Sequence, residues 1–417
     1  MPMIRKTIMW AMIALIGAVV PVACSSDDSD GPDVPDAPQT STENPLNYSP
    51  VQTMWVENLN KYSLKVAQDA LSRAPEGENF FVSTLDVMNM YSKLNEHGDL
   101  KAYTDDRYLV FGPSGADYGL ENLTSTLMSY CSKPQDKSSC SYFASVWADT
   151  RIDRKSDDEF AKYLNWVDRS KAYDLFDRPT SQEAFENEMN NWLNKKNPAG
   201  CLSFGREEIR AGVHHALAAD FHLVPKDPKT TEEHKTDIFY VDKLHQQSFR
   251  PLISDYGYAI QIESERWWEV SAVELNDGKS MMYIASFRSG ISLKDFALSL
   301  TESDLKSWFL ETKKPENRCS IHMVPLDISA SSTHFSANQL KELVLSEVNN
   351  YKVYGVDYPD LAYTASQNVH VVMDGGQDEI EILHYDDWAV SKWFPCVLIV
   401  VEKSTNAIQL FGLLYNI

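Results

Sequence analysis

Long hydrophobic runs, a surplus of positive charge and the short motifs of catalysis are all missing from this 417-residue chain. Its longest apolar run, Ile8 to Val20, is about 13 residues, short of the ~18 that a membrane-spanning helix needs. Lysine and arginine number 38 against 60 aspartates and glutamates, a formal net charge of −22, which argues against nucleic acid or an anionic membrane as a partner surface. There is no Gly-rich phosphate loop, no G-x-S-x-G elbow and no His-Glu-x-x-His, so nothing points to an enzyme or to a bound cofactor. Internal repeats are absent, and no Pro/Gly/Ser-rich linker interrupts the chain after residue 50, which favours one large domain. Cysteine is scarce, at six residues. Cys201, Cys319 and Cys396 have no metal-ligand spacing and read as buried thiols. Cys131 and Cys140 flank a polar loop, Ser132 to Ser139, and are candidate disulfide partners in an oxidising compartment.

What is present begins with a processing signal. Arg5 and Lys6 precede the apolar run, and small residues lead to Cys24. Pro-Val-Ala-Cys24 resembles a lipoprotein cleavage box, although Pro21 stands where Leu is usual. The expectation is a signal peptide over 1–23 and a lipid, such as palmitate, on Cys24; the alternative is an ordinary secretory signal with a chance cysteine. Residues 24–50 hold Asp27, Asp28, Asp30, Asp33, Asp36 and five prolines, too little apolar surface to pack, and read as a disordered tether. Acidic residues directly after the cysteine resemble surface-export signals of some Gram-negative lipoproteins. That resemblance implies an outer-membrane lipoprotein facing outward rather than into the periplasm, and touching the membrane only through its lipid.

Residues 51–417 carry the domain. Trp55, Leu59, Tyr62, Val66 and Ala70 have helical spacing, as do Val87, Met90, Tyr91 and Leu94. Phe185, Met189, Trp192 and Leu193 share another helix face, and Asp295 to Thr312 reads as one further helix. Tyr142, Ala144, Val146 and Ala148 alternate as a strand, and Ile260 and Ile262 suggest another. Val273–Leu275 and Met281–Ile284 flank Asn276-Asp277-Gly278-Lys279, a strong hairpin signal. At the C-terminus two apolar runs, Val397–Val401 and Ile408–Leu414, enclose the polar turn Glu402–Asn406 and read as a buried hairpin. Helices dominate the first half and strands the second, which favours α+β over a regularly alternating α/β fold.

Several segments resemble serpins in order and spacing. Asn79-Phe-Phe-Val-Ser83-Thr-Leu-Asp86 is similar to that family's N-x-F-x-S-P-x-S, and Met189-Asn-Asn-Trp192-Leu193 to its I-N-x-W-V. Val273-Glu-Leu, Gly278 and Ser280-Met281 resemble V-x-E-L-P-Y-x-G-x-x-S-M. Leu300-Thr301, Leu305 and Trp308 resemble L-T-x-x-x-L-x-x-W, and Met323-Val-Pro325 with Ile328 resembles L-P-K-F-x-I. The C-terminal hairpin matches over Pro395–Asn416 without a gap. The resemblance implies a serpin-like fold of three β-sheets and about nine helices, no cofactor, a monomer, and a serine or cysteine protease as the possible partner.

It also places a reactive loop between Asp374 and Pro395. Inhibitory serpins insert this loop as a new strand into the main sheet after cleavage. Here the hinge is Gly376, Gln377, Asp378, Glu379, Ile380 and Glu381 in place of the family's small residues. In the family register Gln377, Glu379 and Glu381 would point into the core and Ile380 and Ile382 to solvent, the reverse of what insertion needs. The loop is also shorter than the family's. If it acts as bait, the cut bond lies within His384, Tyr385, Asp386, Asp387, Trp388, Ala389 and Val390. Under the sheet's opening point the resemblance places Ser83, Asp86, His215 and Ser366, with Asp86 and His215 expected to form a buried pair. The rival constellation His214, His215, Asp220 and His222 matches no zinc signature, and no metal site is expected. The resulting expectation is a serpin-like surface lipoprotein with a short acidic loop that does not insert. It would be non-inhibitory or a weak, substrate-like inhibitor. The alternatives are an active protease inhibitor and a ligand-binding module.

Overall fold

The amphipathic stretch around Trp55 forms α1 (Pro50–Arg73), and Trp55, Leu59, Tyr62, Val66 and Ala70 are all buried. The chain continues through β1 (Phe80–Ser83), α2 (Thr84–His97), α3 (Leu120–Cys131), β2 (Ser139–Asp149), α4 (Glu159–Ser170), β3 (Asp174–Arg178), α5 (Gln182–Lys196) and β4 (Gly212–Leu223). Then come β5 (Lys229–Thr231), β6 (Asp237–Tyr240), β7 (Gln246–Phe249), β8 (Leu252–Ile262), β9 (Trp268–Glu274) and β10 (Ser280–Phe287). Two helices follow, α6 (Leu293–Ser299) and α7 (Glu302–Glu311), before β11 (Arg318–Met323), β12 (Leu326–Ser329), β13 (Thr333–Ser336) and β14 (Ala362–Met373). The last strands are β15 (Glu381–Leu383), β16 (Lys392–Trp393), β17 (Cys396–Glu402) and β18 (Ile408–Leu414). The computed structural model describes residues 50–97, 120–132, 138–149, 159–171, 173–198, 202–204, 212–241, 244–262, 268–287, 291–329, 333–336, 362–376, 380–383 and 392–417. All of these belong to one unit, Leu46–Ile417. Residues 24–49 of the tether, Cys201 and His384–Val390 lie outside the described residues.

Among the described residues there are three sheets and seven α-helices, a mixed α+β architecture. A nine-stranded sheet runs β1-β18-β17-β10-β9-β8-β5-β15, with β11 also on β8. A six-stranded sheet runs β12-β14-β4-β2-β3, with β13 on β14, and a small sheet runs β16-β6-β7. The C-terminal hairpin is buried on both faces, so its runs are continuously apolar rather than alternating. Its turn is held by buried Glu402, whose carboxylate accepts from the backbone N–H groups and hydroxyls of Ser404 and Thr405. The expected hairpin at Asn276–Lys279 forms between β9 and β10, with Gly278 at φ 66° and Asp277 accepting from the amides of Lys279 and Ser280.

Three expectations are corrected, the first at Cys319, which is exposed rather than buried because the first half of β11, Arg318 to Ser320, lies at the surface. The stretch 295–312 is two helices, not one. Thr301 caps α7 in a box with Asp304, which is stronger than continued helix there, and Gln68 donates to the carbonyls of Ala297, Leu298 and Leu300 where α6 ends. Cys131 and Cys140 are free thiols rather than a disulfide. Each sits in packed surroundings, Cys140 hydrogen-bonded to Tyr142, and burial pushes both thiols well above their ordinary range.

At one end of the nine-stranded sheet β1 pairs antiparallel with β18 at close quarters. Gly412 stands opposite Phe81, and a Cβ there would lie 2.2 Å from the Phe81 ring and 3.0 Å from the Phe80 carbonyl oxygen. Gly412→Ala is expected to destabilise the domain by about 1–3 kcal/mol through overpacking. A urea titration would show a lower midpoint with an unchanged slope; an unchanged midpoint would mean that the hairpin yields without cost.

Candidate functional site

β4 and β14 are the central strands of the six-stranded sheet and run parallel in direct register, from Ala362 opposite Gly212 to Met373 opposite Leu223. This seam is paired along its whole length. Alternation divides it into two faces. Val213, His215, Leu217, Ala219, Phe221 and Leu223 face the core with Ala365, Gln367, Val369, Val371 and Met373; His214, Ala216, Ala218, Asp220 and His222 face the other way with Thr364, Ser366, Asn368 and His370.

On the core face the seam is tied to the β1–α2 junction by one amide. Gln367 Oε1 accepts from the Ser83 amide at 3.0 Å, and Gln367 Nε2 donates to the Ser83 carbonyl at 2.9 Å and to Asp86 Oδ1 at 2.5 Å. Gln367 is 1% exposed and Asp86 2%. Burial raises Asp86 to a pKa of about 7, against smaller lowering effects of hydrogen bonds from Ser83, Val87 and Gln367. Below that value Asp86 is a neutral acid.

The expected buried, hydrogen-bonded pair of Asp86 and His215 does not form. Asp86 bonds to Gln367, and His215, fully buried with its ring edge-on to Tyr173, is lowered to a pKa of about 3 by burial. A paired carboxylate would have raised it. Ser366 does not join this group either: it lies on the opposite face, where its hydroxyl is 3.0 Å from His214 Nε2, while His214 Nδ1 is 2.9 Å from the Thr364 hydroxyl. Of the four residues that the resemblance grouped, Ser83 and Asp86 meet Gln367 on the core face, where His215 also points, and Ser366 lies on the opposite face; Gln367 was not among them. The signal was available, because Ala365, Val369, Val371 and Met373 are apolar at period two and Gln367 falls among them.

The other face carries a row of polar pairs. His370 Nδ1 is 3.0 Å from Asp220 Oδ1, and His370 Nε2 is 2.9 Å from Asp327 Oδ1 on β12. Asn197 donates to Asp220 Oδ2 at 2.9 Å. His222 Nε2 is 2.8 Å from Asp374 Oδ1. The residues of the rival metal constellation thus diverge: His215 faces the core, and His214, Asp220 and His222 each bond to a different neighbour. Among the described residues no cluster of three or more metal-ligating side chains occurs.

At the end of β14 the chain leaves this sheet. Asp374 Oδ1 also accepts from the Gly376 amide at 2.7 Å, and Gly376 has φ 78°, where glycine is favoured. Ile380 packs against Gly375 so closely that a Cβ there would lie 1.9 Å from Ile380 Cδ1. Glu381–Leu383 then pairs with β5 at the edge of the nine-stranded sheet, with Glu381 3.7 Å from Lys229 Nζ and Ile382 48% exposed. Gln377, Asp378 and Glu379 lie outside the described residues.

No family model and no curated protein matches this sequence. Solved structures do. Uncleaved ovalbumin is 12% identical with a TM-score of 0.64, covering 87% of this chain and 100% of its own. Human glycosylated kallistatin is 15% identical with a TM-score of 0.63, covering 88% and 99%. Protease nexin-1, solved with heparin, is 12% identical with a TM-score of 0.62, covering 89% and 100%.

Raising an acid's pKa on folding makes stability fall as pH climbs from its unfolded to its folded value, here from about 4 to about 7. Asp86→Asn keeps the bond to Gln367 and removes this penalty. Its melting temperature should match the parent's near pH 4 and exceed it above pH 7, by up to an effect on the order of 4 kcal/mol. An equal difference at both pH values would mean that folding does not shift the Asp86 carboxyl. Gln367→Leu strips partners from Ser83 and Asp86 together and should cost about 3 kcal/mol in a denaturant titration; a loss near zero would show the tie to be idle. Geometry, sheet order and these neighbours agree: this chain has the serpin fold.

Proposed function

We propose that this protein is a non-enzymatic surface lipoprotein on the serpin scaffold whose exit segment does not enter the main sheet. A protease would then meet it as a substrate or a bystander and would not be trapped. The observation that carries this reading is the mismatch between the exit segment and the core it would have to enter. Between β4 and β14 the core face is lined by Leu217, Ala219, Phe221, Leu223, Val369, Val371 and Met373. In the family register an inserted segment would aim Glu379 and Glu381 at that surface. An unpaired carboxylate taken out of water costs several kcal/mol even after relaxation, and two would enter together. Glu381 gains nothing by moving, since its present position is exposed and beside Lys229.

The lipid anchor rests on Cys24 and the acidic residues after it. Among the described residues no helix is long and apolar enough to cross a membrane. The anchor would hold the domain at the outer surface through the acidic tether, where His384–Val390 would be the segment most open to cleavage.

Incubation with trypsin-, elastase- and papain-like proteases tests the main reading. The expected result is cleavage within the exit segment, no covalent complex that survives denaturant, and no rise in melting temperature. A denaturant-resistant complex would establish the inhibitory alternative. In cells fed labelled palmitate, the full chain should take up label and fractionate with the outer membrane, and Cys24→Ala should do neither; an unlabelled parent would point to an ordinary secretory signal.

A further inference from the structure

The histidine–carboxylate pairs of the outer face lie at one end of the β4–β14 seam, the end from which the chain departs. His370, 6% exposed, stands in the middle strand with a carboxylate on each side: Asp220 from β4 and Asp327 from β12. One residue past β14, Asp374 is held by His222 of β4. Five side chains thus tie three strands and the departing chain together. The imidazolium form of histidine has two N–H donors, one for each carboxylate, and a charge that opposes both. The neutral ring has one donor and one acceptor, so a carboxylate on its acceptor side faces a lone pair.

We propose that His370 is a charge-dependent clasp at the exit end of the seam. Protonated, it ties β4, β14 and β12 to one another. On losing its proton it keeps the N–H toward the less exposed Asp220 and releases Asp327, whose side chain is 71% exposed and is taken up by water. The surroundings support this. Asp220 and then Asp327 raise the pKa of His370 against the opposing effect of burial, and Asp220 is itself lowered by its hydrogen bonds from His370 and Asn197. The other groups facing the clasp are His222 and Asp374. From β2, Ser139 and Ser141 stand opposite His222 and Asp220 and are neutral. At the end of α5, Asn197 is neutral and Lys196 is held by Asp174.

The sign follows from linkage. A histidine raised on folding contributes stability that is complete below its unfolded value, near 6.5, and is lost as pH rises through its folded value. Acid below the unfolded value therefore tightens the exit end of the sheet, and pH rising through the raised folded value loosens it. The inference does not depend on whether the protein inhibits a protease.

Amide hydrogen exchange on the intact domain tests it, with each rate divided by the unfolded-chain rate at the same pH. In the parent, protection over 326–329 and 369–373 should fall several-fold between pH 6 and pH 8.5, while β17 and β18 stay unchanged. His370→Gln, uncharged at both values, should show the lower protection throughout. If the parent shows no fall, or His370→Gln keeps it, the clasp is wrong. Asp327→Asn changes an exposed residue and spares the fold. The His370 ring, followed by NMR in histidine-labelled protein, should titrate at a lower pH in this variant than in the parent. An unchanged midpoint would also overturn the proposal.

Discussion

The parallel ladder between β4 and β14 is the constraint on which the rest of the molecule is arranged. Both strands lie inside a sheet, so each must bury two faces, and most of β4 is buried from Gly212 to Ala219. One face closes against the β1–α2 junction and the larger sheet. The other is covered by α5 only in part: Trp147, Phe185, Met189, Trp192, Ala216 and Ala218 form a small apolar cluster there. Beyond it the outer positions turn polar: His214 bonds to Thr364 and Ser366, Asp220 to His370, and His222 to Asp374.

The two faces solve the problem of buried titratable groups in opposite ways. Toward the core, desolvation dominates: Asp86 keeps its proton to about pH 7 and His215 is neutral at any ordinary pH. Their neighbours need only hydrogen bonds, and Gln367 provides them in both directions because its amide both donates and accepts. On the open face, opposite charges can be paired within hydrogen-bond distance while one partner stays in water, so His370 and Asp220 favour their charged forms. A single strand therefore carries a neutral tie on one side and an ionic one on the other.

Much of the fold was legible because it follows from periodicity. The spacing of Trp55 to Ala70, the helix face of Phe185 to Leu193, the Asp277-Gly278 turn and the C-terminal hairpin all formed as their patterns require. The helix break at Thr301 was also written locally, as Thr301 and Asp304, but apolar spacing across it hid the cap. The site was harder to read, since it joins residues nearly three hundred positions apart. Ser83, Asp86 and His215 could be grouped by resemblance. Ser366 was placed one position from Gln367, and in a strand one position is the other face. His370, Asp327 and Asp374 gave no sequence signal, because their pairing depends on strand order alone.

The exit segment joins these features to function. Asp374 ends the seam, Gly376 turns the chain out, and Glu381–Leu383 finds a partner in β5 of the other sheet. The central claim is that this segment stays out of the seam even when it is cut. A crystal structure of the protein nicked once between residues 376 and 395 tests that most directly. The account predicts β4 still paired with β14 and Glu381–Leu383 outside the six-stranded sheet; a cut segment lying between β4 and β14 as a new strand would contradict it.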